Sequence, residues 1–175
     1  MNNEERIKSL LRLVPDFPKK GILYYDISTV LRDRDGLQAC MSAMAERLES
    51  TDFDLIAGIE SRGFIFGTAL ADRLKKGFVL IRKEGKLPGF IHKLDYALEY
   101  GHAAIEICDG AVTQGQKVVL VDDLLATGGT AAAACKLLSL CGADIQKILF
   151  LIELGSLEGR DKISEYKTDS ILKFE

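Results

Sequence analysis

The stretch from Lys117 to Leu138, KVVLVDDLLATGGTAAAACKLL, constrains the fold more than any other. An apolar run of strand length ends in two aspartates, passes through a Thr-Gly-Gly-Thr turn and enters an alanine-rich helix beginning near Gly129. The same order recurs earlier, where DLIAGIE precedes a helical pattern from Gly63 to Leu74 and FVLIR follows it. After the second helix, which should run to about Cys141, comes another apolar run, KILFLIEL. Continuous apolar strands alternating with helices belong to a mainly parallel sheet covered on both faces. The expected fold is therefore α/β, with a central sheet flanked by helices. In such sheets ligands sit at the carboxyl ends of the strands, so the polar residues just after each strand are the candidate site.

At 175 residues the chain is long enough for one domain with its own core. A hydrophobic fraction of 47% and a charged fraction of 28% exclude a disordered chain. The net charge of −3 and the lack of a basic block argue against nucleic acid as a partner. Two histidines and four scattered cysteines, none in a C-x-x-C pair, do not make a zinc site; the thiols read as small apolar residues in a reducing compartment. No run reaches membrane-span length, and the acids in MNNEERIKSLLRLVPDFP interrupt any signal-like core, so a cytoplasmic location without membrane contact is expected. Ile7, Leu10, Leu11 and Val14 at helical spacing predict an N-terminal helix that PDFPKKG ends. The segment from KEGKLPG to about Gly101 reads as polar and irregular.

The chemistry of the opening stretch is specific. Gly128 and Gly129 let the backbone turn sharply and approach a ligand. The helix that follows offers uncapped N–H groups and the positive end of its dipole, which together favour a phosphate. Thr127 and Thr130 add hydroxyls. No Lys follows the glycines and no G-x-G-x-x-G is present, which excludes a triphosphate P-loop and a dinucleotide site. Asp122 and Asp123 would repel a phosphate unless they meet another part of the same ligand. A sugar diol, or a divalent metal held by the ligand, satisfies that condition. Strand, acid pair and anion loop together describe a ribose 5-phosphate site.

Ordered segments carry a fuller resemblance: PDFPKKGI, DIS, AGIESRGFIFG, IRKEGKLPG, YALEYG, VVLVDDLLATGGT and LIEL. Together they resemble the type I phosphoribosyltransferases, and among them the adenine-using members, from Pro15 almost to the C-terminus. The resemblance implies that fold, with residues 1–34 as an N-terminal helix and base-binding hood and 35–175 as the core of a single phosphoribosyltransferase domain. It implies Mg2+-dependent transfer from phosphoribosyl pyrophosphate to adenine, giving AMP and pyrophosphate. Asp122 and Asp123 would hold the ribose hydroxyls and reach the metal indirectly, through water and substrate. Ala126, Thr127, Gly128, Gly129 and Thr130 would wrap the 5′-phosphate.

By the same resemblance, Arg62 would serve the pyrophosphate as a bidentate donor, and the Glu60–Ser61 peptide would be cis. Arg82, Lys83 and Lys86 would stabilise charge on the leaving group, with Arg82 reaching the neighbouring site of a homodimer. Glu99 and Tyr100 would belong to a closing catalytic loop, Glu99 as the base. Leu23, Tyr24 and Tyr25 would form the base site together with Leu124. The family pattern usually has Arg where this chain has Tyr25, which removes a cation and a fork of donors. Two alternatives therefore stand beside adenine transfer: the same reaction on another purine, and a non-catalytic regulator that senses phosphoribosyl pyrophosphate.

Overall fold

The computed structural model describes residues 1–98 and 101–175. The chain divides into two compact units, Met1–Arg47 and Leu48–Glu175. The first contains α1 (Asn3–Leu10), a two-stranded antiparallel ribbon of β1 (Arg12–Val14) and β2 (Tyr24–Asp26), and helices α2 (Ser28–Arg32) and α3 (Arg34–Glu46). A capping box starts α1: Asn2 accepts from the Glu5 N–H, and the Glu5 carboxylate accepts from the Asn2 N–H.

The predicted N-terminal helix is shorter than its apolar spacing implies. Leu11 is its extended C-cap, and Arg12 to Val14 pair with β2 in the register Arg12↔Asp26, Leu13↔Tyr25 and Val14↔Tyr24. The pattern Leu10, Leu11, Val14 fits a helix or a short strand equally well, and partner pairing decides between them.

The second unit is built on β3 (Leu55–Ile59), α4 (Arg62–Leu74), β4 (Gly77–Lys83), β5 (Ile91–Leu98), β6 (Gly101–Cys108), β7 (Lys117–Leu125), α5 (Gly129–Leu140), β8 (Asp144–Leu154) and β9 (Thr168–Phe174). The strands form one sheet in the order β5-β6-β4-β3-β7-β8-β9. β4, β3, β7, β8 and β9 are parallel neighbours, and β5 and β6 run antiparallel at one end. From β3 the chain crosses through α4 to β4 on one side. From β7 it crosses through α5 to β8 on the other. The strand order thus reverses between β3 and β7, which opens a crevice at their carboxyl ends.

The segment read as irregular is a regular hairpin over much of its length. β5 and β6 pair from Ile91↔Cys108 to Leu98↔Gly101. Leu94 and Tyr96 pack on the core while Lys93 and Asp95 are exposed, a period-two pattern that polar composition disguises in an edge strand. The central strands carry the main core: Val118, Leu120, Ile148 and Phe150 are fully buried on the face covered by Ala134, Cys135 and Leu138 of α5. All four cysteines are free, and burial pushes the Cys40 and Cys135 thiols up to about 12, so these two are packing groups.

The opposite face needs small residues. The Phe78 ring lies so close to Gly58 of β3 and Gly67 of α4 that a Cβ at either would fall 2.5 Å from it. Phe64 meets the same ring edge-on, at 5.9 Å between centroids. Replacing a helical glycine by alanine ordinarily gains about 1 kcal/mol, whereas overpacking a tight contact costs about 1–3 kcal/mol. The clash should win at Gly67. Gly67→Ala is expected to lower the melting temperature by roughly 2–4 °C, and adding Phe78→Leu should reverse the loss.

Candidate active site

A cleft of about 610 Å³ opens at the carboxyl ends of the central strands in the second unit. It gathers Arg62, Arg82, Lys83, Asp122, Asp123, Leu124 and the whole run Ala126 to Thr130, all predicted from sequence. Three different strand ends supply these groups, β3, β4 and β7, as the crevice geometry requires.

The anion loop is built by its glycines. Gly128 takes φ +76°, the left-handed region, and is the N-cap of α5. Among the described residues no side chain caps the helix start, so its first N–H groups remain directed toward the cleft end of the helix. Thr130 lies in the first turn, and its hydroxyl is 3.3 Å from the Tyr96 hydroxyl on β5.

The acid pair sits beside this loop. Asp123 is 5% exposed and pairs with Arg62 at 2.9 Å between Oδ2 and Nε. Asp122 Oδ1 accepts the Asp123 N–H at 2.9 Å. Burial and the neighbouring Asp123 charge raise the Asp122 carboxyl well above the usual range. Burial also raises Asp123, against the opposing pull of Arg62. The approach of α4 depends on Gly63, where a Cβ would lie 2.9 Å from both the Val121 carbonyl oxygen and Asp122 Oδ1. Arg62 is thereby delivered to the acids by the first turn of the helix.

A second cluster surrounds Glu60, whose role sequence reading missed. Its side chain is 8% exposed, yet it accepts from Lys86 Nζ at 2.8 Å, from the Lys83 N–H at 2.9 Å, and from Arg82 Nε and Nη2 at 3.3 Å each. Burial pulls this carboxyl up, but the donors outweigh it and hold it at about 2. Glu60 therefore gathers the basic loop around one buried carboxylate. The Glu60–Ser61 peptide is cis, as the resemblance implied. The signal for Glu60 was its place, the first polar residue after a buried apolar run, as Asp122 is within β7.

In the first unit, Tyr24 is half-buried and stacks edge-to-face on Phe17 at 5.1 Å, while Tyr25 is buried. Leu23 is exposed. Asp26 accepts from the Ser28 N–H at 2.9 Å and from Arg12 Nε at 2.8 Å. The Ser28 hydrogen bonds, helped by Arg12 and opposed by burial, hold the Asp26 carboxyl at about 2. Arg12 of the facing strand thus serves Asp26, while position 25 is paired with Leu13. Glu99 and Tyr100 lie outside the described residues. Among the described residues, no group of three or more His, Cys, Asp or Glu is placed to hold a metal ion. Nor is any described helix long and apolar enough to cross a membrane.

Fold and cleft together define the class: an α/β enzyme whose strand-end acids and glycine loop suit a sugar phosphate. Comparison with known proteins agrees. The phosphoribosyl transferase domain model matches residues 26–175. An adenine phosphoribosyltransferase of Agathobacter rectalis is 49% identical over 169 residues, covering 97% of each chain. The crystal structure of adenine phosphoribosyltransferase from Thermoanaerobacter pseudethanolicus superposes with a TM-score of 0.95 at 49% identity, covering 98% of this chain and 99% of that one. That of the Saccharomyces cerevisiae enzyme, complexed with an imino-altritol bisphosphate and adenine, gives 0.92 at 38% identity over 97% and 98%. The chain belongs to the phosphoribosyl transferase family, in its adenine phosphoribosyltransferase group, and is a pentosyltransferase with the type I fold.

The raised Asp122 carboxyl has a consequence for stability. A carboxyl whose folded-state pKa is raised costs stability once the pH passes its unfolded value, 3.8, and costs nothing well below it. Asp122→Asn keeps the oxygen that accepts the Asp123 N–H and removes the charge. The variant should be more stable by about 1 kcal/mol at pH 8, a rise of roughly 2–4 °C in melting temperature, and the gain should vanish near pH 3. Thermal melts of both proteins across this range check it.

Proposed function

We propose that the protein transfers the 5-phosphoribosyl group of phosphoribosyl pyrophosphate to adenine, releasing pyrophosphate and forming AMP, a purine-salvage reaction. The observation that carries this reading is the cleft in which Asp122 and Asp123 flank the uncapped start of α5. One ligand can then offer a ribose diol to the acids and a phosphate to the N–H groups of 126–130. The adenine bound in the yeast relative supports the choice of base.

In the reaction a purine ring nitrogen bonds to the anomeric carbon as the bond from that carbon to the pyrophosphate oxygen breaks. The transition state carries oxocarbenium-like positive charge, and the departing pyrophosphate takes the electron pair. Arg62, Arg82, Lys83 and Lys86 are the cations assigned to that negative charge. Glu99 takes the proton that the purine nitrogen loses, and Tyr100 shields the site with it. Leu124, which lines the cleft, is assigned to one face of the base.

The acid pair fits Mg2+ only jointly with the substrate. Two raised carboxyls are too few for a closed oxygen cage, and Mg2+ ordinarily keeps waters and substrate phosphates among its ligands. Asp122 and Asp123 would hold it through water and the sugar hydroxyls, and when bound it neutralises diphosphate charge. The protein works as a homodimer in the cytoplasm, with Arg82 near the neighbouring active site.

Incubation with Mg2+, phosphoribosyl pyrophosphate and a panel of purines tests the reading. AMP from adenine is the expected product. Nucleotide only from other bases would redirect the specificity, and sugar-phosphate binding without nucleotide from any base would make the protein a sensor. Glu99→Ala should lower kcat about 10²-fold or more while leaving the KM for phosphoribosyl pyrophosphate within about threefold. A change in affinity alone would contradict the assignment of the base.

A further inference from the structure

Behind the anion loop lies a short turn that the proposed chemistry does not use. Residues Gly159–Ile163 form a 3-10 turn between β8 and β9. Its first residue meets the loop backbone to backbone. A Cβ on Gly159 would lie 2.0 Å from the Ala126 carbonyl oxygen and 2.9 Å from the Gly128 nitrogen. Reciprocally, a Cβ on Gly128 would lie 2.2 Å from the Gly159 carbonyl oxygen. Each glycine is the space into which the other segment's carbonyl fits, and no side chain of either could move aside to make room, because the obstructing atoms are main chain.

The turn is fastened independently of that contact. Arg160 donates from Nε to Glu153 Oε1 at 2.8 Å and from Nη1 to the Thr168 carbonyl at 2.6 Å, and Nη2 also pairs with Glu153. Ser170 Oγ donates to Glu153 Oε2 at 2.6 Å. Glu153 lies opposite Leu125 on β7, the last strand residue before the loop, and opposite Lys173 on β9. Ile163, at the other end of the turn, is fully buried in the core. The turn is therefore tied to both strands beyond β7 before it touches the loop.

We propose that the Gly159–Arg160 turn is a positioning element for the phosphate loop, bracing the main chain of Ala126–Gly128 so that the N–H groups at the start of α5 hold a fixed aim. The inference rests on the reading of that loop as a phosphate cradle. A braced cradle binds a phosphate without first paying to order itself, so loosening it weakens the sugar-phosphate substrate and spares the base. Neither Gly159 nor Arg160 is among the residues that line the cleft.

The test compares wild type, Gly159→Ala, Arg160→Ala and Arg160→Lys. Initial rates give the KM for phosphoribosyl pyrophosphate and for adenine separately, and calorimetry gives the affinity for ribose 5-phosphate in the presence of Mg2+. Gly159→Ala should raise the KM for phosphoribosyl pyrophosphate at least about tenfold, weaken ribose 5-phosphate similarly, and leave the KM for adenine within about twofold. Arg160→Ala should act in the same direction by roughly fivefold, and Arg160→Lys, which keeps a cation for Glu153, should recover most of it. If Gly159→Ala does not fold, the two Arg160 variants decide the matter.

Folded variants that bind ribose 5-phosphate as wild type does would overturn the brace and leave the phosphate reading intact. Equal losses toward both substrates would overturn it as well, since they mark general destabilisation. Failure of wild type itself to bind ribose 5-phosphate would overturn the phosphate reading and the brace with it.

Discussion

Two adjacent carboxylates held at the end of a buried strand are the constraint around which the second unit is arranged. Burial favours the protonated form of both, and at Asp122 the neighbouring Asp123 charge adds to it. The structure accepts this cost by bringing α4 close enough for Arg62 to meet Asp123, and that approach requires Gly63. Nothing in packing alone calls for two acids here; a strand end of apolar or amide residues would be more stable. A site that keeps such groups trades stability for chemistry. The sugar diol resolves the conflict, because hydroxyls donate to carboxylates while the phosphate on the same molecule meets the N–H groups of the loop.

The same logic runs with opposite sign at Glu60. There a buried carboxylate is surplus-solvated by donors and is held at about 2, so it stays ionised at any physiological pH. Arg82, Lys86 and the Lys83 N–H converge on it across more than twenty residues of sequence. The acids of β7 are held by Arg62 and one backbone N–H, whereas Glu60 gathers two cationic side chains and a backbone N–H on one carboxylate. Two kinds of buried acid at neighbouring strand ends thus have different tasks, distinguished by what donates to them.

Much of this was legible in the sequence, for physical reasons that differ by element. β3, β7 and β8 are buried on both faces, so they appear as unbroken apolar runs, and α5 follows β7 with its start fixed by the Gly128 turn. β1 and β5 did not show, since three residues beside a helix carry no period and an edge strand with Lys93 and Asp95 facing out resembles a loop. The anion loop and acid pair were readable because they are contiguous. Glu60 and Gly159 were not, because their partners are brought to them only by the sheet order. Asp26 illustrates the limit as well: only the register of β1 against β2 brings Arg12 to it.

One ligand is to meet the acids and the loop at once. A thermodynamic cycle measures that coupling directly: calorimetric affinities of ribose 5-phosphate and 2-deoxyribose 5-phosphate for wild type and for the Asp122→Asn/Asp123→Asn double variant. Loss of the 2-hydroxyl should weaken binding about tenfold in wild type, roughly 1.4 kcal/mol, and leave the double variant nearly indifferent. An equal penalty in both proteins would contradict the account, since the hydroxyl would then be meeting something other than Asp122 and Asp123.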